Sequence, residues 1–65
     1  MRTSKEIRAL LYDYLEMPPL EVWDLLYEMK CNGEIVAFAT FEKHNKLTCI
    51  DVVLDDCTVM VERNE

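Results

Sequence analysis

Few residues in this chain are of types that do chemistry. One histidine, His44, three cysteines, Cys31, Cys49 and Cys57, and the adjacent pair Asp55-Asp56 are the main candidates for a base, a nucleophile or a metal ligand. The cysteines stand 18 and 8 residues apart, without the CxxC pairs or interleaved histidines that zinc ligation uses. Their odd number gives no disulfide framework of the kind small secreted domains need. They read as free thiols packing as small hydrophobes in a reducing cytosol. His44 lies in Lys43-His44-Asn45-Lys46 and Asp55-Asp56 lies between two apolar runs, so both read as hairpin turns. With a single glycine in the chain there is no phosphate-cradling loop. A nucleophile, a base and a charge-stabilising group that could converge do not emerge from this inventory. The expectation is a protein that is not an enzyme and carries no metal or cofactor.

The carboxylates are the larger chemical statement. Glu21, Asp24 and Glu28 fall on one stripe of a helical wheel, and Asp13 and Glu16 precede them. Thirteen acidic residues against seven basic give a net charge of −6. Nucleic acid is bound mainly through Lys and Arg contacts to phosphate, and anionic membranes attract the same cations. Both partners are disfavoured, whereas a basic protein partner suits the balance, which also serves solubility. In a sharper version the acidic stripe imitates nucleic-acid phosphate and fills a DNA- or RNA-binding groove. No apolar run is long enough to span a bilayer. Met1-Arg2-Thr3-Ser4 leads straight into an amphipathic pattern, so no secretory signal is read and a cytoplasmic location is expected.

Sixty-five residues form one domain, 1–65, near the lower limit for a single unstapled core. Thr3-Ser4-Lys5-Glu6 reads as a capping box, followed by Ile7, Leu10, Leu11, Tyr14 and Leu15 on one helical face. Met17-Pro18-Pro19 stops that helix, and Pro19 suits the first turn of the next. The second helix, Leu20–Cys31, is apolar around most of its circumference and ends at Asn32-Gly33. From Glu34 the period becomes two, predicting strands Ile35–Glu42, Leu47–Leu54 and Cys57–Glu62. The fold class is therefore α+β, two helices on one face of a three-stranded antiparallel meander, ααβββ.

Two-residue turns at His44-Asn45 and Asp55-Asp56 fix the registers. They place Ile35, Ala37, Ala39, Phe41, Ile50, Val52, Leu54, Cys57, Val59 and Val61 under the helices. They leave Val36, Phe38, Thr40, Cys49, Asp51, Val53, Thr58 and Met60 on the outer face. A solvent-facing sheet should be more polar than this, so Val36, Phe38, Val53 and Met60 around Asp51 mark a contact patch. The first strand also lacks proline and interior charge. It is poorly protected against pairing, and a homodimer through the strand edge or the outer face is anticipated.

The run Leu26-Tyr27-Glu28-Met29-Lys30-Cys31-Asn32-Gly33-Glu34-Ile35 resembles the end of a winged helix's recognition helix, with Lys43-His44-Asn45-Lys46 as the wing tip. That resemblance implies a DNA-binding regulator, although one clear helix precedes the recognition helix where the family has two. Glu21, Asp24 and Glu28 on the exposed side would also repel phosphate. The leading expectation is a small acidic interaction module, a stoichiometric inhibitor or adaptor that occupies a partner protein's surface. By analogy, phages direct such modules at host or defence proteins. Its contact residues are expected among Val36, Phe38, Asp51, Val53 and Met60, and then Glu21, Asp24 and Glu28.

Overall fold

Thr3 starts the first helix as its neighbours dictate. Its hydroxyl accepts from the Glu6 N–H at 3.2 Å, and the Glu6 carboxylate accepts from the Thr3 N–H at 3.0 Å. The backbone donor at Thr3 holds the Glu6 carboxyl below its ordinary pKa. In this computed structural model, which describes residues 2–63, helix α1 spans Ser4–Tyr14 and α2 spans Pro19–Cys31. Pro19 occupies the first turn of α2, where its missing N–H costs no hydrogen bond. At the far end the Gly33 N–H donates to the Lys30 carbonyl at 3.1 Å and the Glu34 N–H to the Met29 carbonyl at 2.9 Å. This Schellman arrangement needs a left-handed residue, and Gly33 supplies it with φ +80° while Asn32 stays right-handed.

Strands β1 (Ala37–Lys43), β2 (Lys46–Val53) and β3 (Thr58–Glu62) form an antiparallel sheet in the order β1-β2-β3. The architecture is α+β with the element order ααβββ. His44 and Asn45, both at positive φ (54° and 65°), make the two-residue turn between β1 and β2. Between β2 and β3 the register is the expected one, Ile50 opposite Val61 and Val52 opposite Val59.

Between β1 and β2 the register differs from the sequence expectation. A bulge lies between Phe41 and Glu42: Glu42 pairs with Leu47 but Phe41 pairs with Cys49, so Thr48 is the extra residue on β2. Beyond it every β1 side chain changes face. Phe38 and Thr40 oppose Val52 and Ile50 on the inner side, while Ala37, Ala39 and Phe41 turn outward. The cause lies in spacing. Leu47 and Ile50 are three residues apart and both are fully buried, which strict alternation forbids. One extra residue buries Leu47 instead of Thr48, and full burial of a leucine side chain contributes about 1.5–3 kcal/mol. The disturbed ladder is repaired by side chains. Thr48 Oγ1 donates to the Phe41 carbonyl at 3.2 Å and Arg63 Nε to the Leu47 carbonyl at 3.0 Å.

Helix α1 lies over β3 and α2 over β1. Ile7, Leu11, Val22 and Leu26 from the helices meet Leu47, Ile50, Val52, Val59 and Val61 from the sheet in one core. Phe38 packs against that core, and the Trp23 indole N–H donates to Thr40 Oγ1 at 2.8 Å. Cys57, expected inside, is exposed just before β3, and Cys31 is exposed as well. Among the described residues no helix is long and apolar enough to cross a membrane.

Candidate functional site

The outer face of the sheet is built in three cross-strand rows. Phe41, Cys49 and Glu62 form one, Ala39, Asp51 and Met60 the next, and Ala37, Val53 and Thr58 the third. Because both helices occupy the other side, nothing among the described residues covers these rows. Phe41 is 60% exposed, Met60 48% and Val53 37%. The two alanines put no large side chain on β1 beside Asp51, and Phe41 and Met60 are the large exposed apolar residues of the flanking strands. Toward Glu62 the face continues into an open depression of about 510 Å³ lined by Phe41, Cys49, Met60 and Arg63 among others.

Asp51 sits at the centre of this surface, on the middle strand. Its Oδ1 is shielded from solvent and has no hydrogen-bond partner among the described residues. Such an oxygen is disfavoured by about 1–3 kcal/mol relative to a satisfied one. Next to it, burial pushes the Cys49 thiol above its ordinary pKa, and the carboxylates of Glu62 and Asp51 add to the shift. A thiol held protonated in this way is a weak nucleophile.

Of the contact residues expected from sequence, the structure brings Asp51, Val53 and Met60 together on one face. It removes Phe38, which lies on the inner side against the core, because the bulge reverses β1. Val36 is exposed but precedes β1, and its N–H donates to the Val53 carbonyl at 2.8 Å. Phe41 is the residue sequence reasoning missed; the odd spacing of Leu47 and Ile50 was the signal that could have found it. Glu21, Asp24 and Glu28 are exposed along α2 and make no ion pair among the described residues. They lie on the helical side of the molecule, away from the outer face, so the two expected surfaces are separate.

His44 is exposed at the hairpin tip, and Asp55 and Asp56 are exposed in the bend between β2 and β3. Among the described residues no three His, Cys, Asp or Glu side chains converge as metal ligands would. Comparison of the chain with protein-family models, with curated proteins and with solved structures finds no match in any of the three.

Proposed function

We propose that this protein is a non-catalytic interaction module that occupies the surface of a partner protein through the outer face of its sheet, as a stoichiometric inhibitor or adaptor. The observation that carries this reading is the arrangement of Phe41, Val53 and Met60, exposed around an Asp51 carboxylate one of whose oxygens has no donor among the described residues. Apolar anchors around one partly exposed carboxylate are what a docking partner completes, by covering the former and pairing with the accessible part of the latter. The donor is a backbone N–H or a Lys or Arg side chain, and the net charge of −6 favours a basic partner. Pairing this face with a copy of itself would bring two Asp51 carboxylates together in a desolvated contact, which is unfavourable. The face therefore suits a different protein.

The test uses the wild-type chain, immobilised, to capture a protein from an extract of its native host, followed by titration calorimetry on the purified pair. Phe41→Asp and Met60→Asp should weaken the complex by about 2 kcal/mol or more while leaving the circular dichroism spectrum unchanged. Wild-type affinity in both variants refutes the reading. A second reading, nucleic-acid mimicry, rests on Glu21, Asp24 and Glu28, exposed and without an ion pair among the described residues. It requires the opposite ranking, with charge reversal at those three abolishing binding and the outer-face variants binding normally. The same stripe weighs against a winged-helix use of α2 on DNA, since three exposed carboxylates there would face phosphate.

A further inference from the structure

The two edges of the sheet are not equivalent. On β2, the Leu54 N–H donates to the Cys57 carbonyl at 2.8 Å, and Thr48 accepts from the Arg63 N–H at 2.7 Å. Past the bulge, from Cys49 to Leu54, even-numbered positions thus direct their backbone toward β3, and odd ones toward β1, as the bond from Val36 to the Val53 carbonyl shows. It follows that Ala37, Ala39 and Phe41 bond inward, while Phe38, Thr40 and Glu42 present their N–H and carbonyl groups on the free edge of β1. By the same alternation Thr58, Met60 and Glu62 line the free edge of β3. There Arg8 of α1 reaches over and donates to the Met60 carbonyl at 3.2 Å. Among the described residues no hydrogen bond from outside the sheet reaches the backbone of Phe38, Thr40 or Glu42.

We propose that the free edge of β1 pairs antiparallel with β1 of a second copy, making a six-stranded sheet across a twofold axis at Thr40. Thr40 is the midpoint of Ala37–Lys43, so this register alone pairs all seven residues. It sets Ala39 opposite Phe41 of the second copy, a small side chain against a large one, on the outer face. On the inner face it sets Thr40 opposite its own copy and Phe38 opposite Glu42. No like charges oppose each other, since Lys43 meets Ala37.

Helix α2 supplies an independent reason. Leu20, Trp23 and Tyr27 lie in one row, and Trp23 is tied to Thr40 on β1. On the opposite flank Leu25 and Met29 face Tyr14 of α1 across a crevice. The row ending in Leu20, 72% exposed, and Tyr27, 62% exposed, therefore lies on the flank turned away from α1, beside the open edge of β1. Twofold pairing of β1 brings this apolar flank against its own copy. Electrostatics decides between this arrangement and a face-to-face dimer. Across the paired edges the two Asp51 residues are three strand spacings apart, at least about 14 Å, beyond the screening length at physiological salt. Both outer faces remain open, so the dimer presents two contact surfaces to its partners.

The test combines sedimentation with amide hydrogen exchange from micromolar to millimolar protein. The expected mass rises toward twice the 7.7 kDa of the chain, and the Phe38, Thr40 and Glu42 amides gain protection in step with it. Leu20→Lys with Tyr27→Glu should weaken association about tenfold or more, and Tyr12→Glu on α1 should leave it unchanged. A chain that stays monomeric throughout overturns the proposal. So does a dimer in which those three amides exchange as fast as in the monomer, because its contact must then lie elsewhere.

Discussion

Replacing Asp51 with valine is expected to stabilise the isolated protein. The carboxylate occupies the middle strand, its Oδ1 shielded and without a donor among the described residues, although the residue as a whole is only partly buried. An unsatisfied shielded oxygen is unfavourable by about 1–3 kcal/mol, and the partial access of the side chain to water points to the low end of that range. Valine also suits a strand better than aspartate, on a scale spanning about 1 kcal/mol. The two effects together give a gain of about 1–2 kcal/mol. For a domain of this size each kcal/mol moves the melting temperature by roughly 4–8 °C, so a rise of about 4–16 °C is expected. Thermal unfolding followed by circular dichroism at micromolar concentration measures it. Asp51→Asn keeps a polar group and a poor strand former, and should give a much smaller rise. A residue that costs stability in the free chain is one kept for something other than folding. An unchanged or lowered melting temperature for Asp51→Val would mean that both oxygens are already satisfied, and the outer face would lose its polar anchor.

Other perturbations follow from the packing. Phe38→Ala should destabilise by about 2–3 kcal/mol in urea unfolding, whereas Phe41→Ala should stay within about 0.5 kcal/mol of wild type, because only the first ring packs on the core. Arg63→Ala should cost about 1–2 kcal/mol, since its guanidinium donates to the Leu47 and Leu15 carbonyls; the ion pair to Glu16, with Glu16 largely exposed, adds little. Thr3→Ala should cost about 1 kcal/mol at neutral pH through loss of the helix cap. Because the cap depresses the pKa of Glu6 in the fold, the contribution of that group is present above the unfolded carboxylate value and is lost as pH falls through the folded one. Because the main donor to Glu6 is the Thr3 backbone N–H, which alanine keeps, wild type and Thr3→Ala should both lose most of this contribution in urea titrations repeated near about pH 3, and most of the gap between them should persist.

Local chemistry made most of this fold legible. The Thr3–Glu6 box, Pro19 in the first turn, the glycine at the end of α2 and the turn at His44-Asn45 all depend on neighbours within a few residues, and each appears where its residue types place it. The β2–β3 register was equally readable because the ladder there is unbroken. The β1–β2 register was not, since a two-residue turn fixes faces only if no residue is inserted further along. What favours the insertion is tertiary. Leu47 gains the core, and its carbonyl is satisfied by Arg63, 16 residues away. The same distance between cause and effect hid Phe41 from the list of contact residues and placed Phe38 on it wrongly. The acidic positions of α2 were readable because a helix face needs only its own period.

The central geometric claim is that the bulge at Thr48 turns Phe41 outward, beside Cys49 and toward Met60. A nuclear Overhauser spectrum of the labelled protein tests it at one ring. The structure predicts cross-peaks from the Phe41 ring to the Cys49 β-protons and other outer-face side chains, and from the Phe38 ring to the Val52 methyls. Cross-peaks from the Phe41 ring to the methyls of Ile50 and Val61, with Phe38 free of the core, would contradict it.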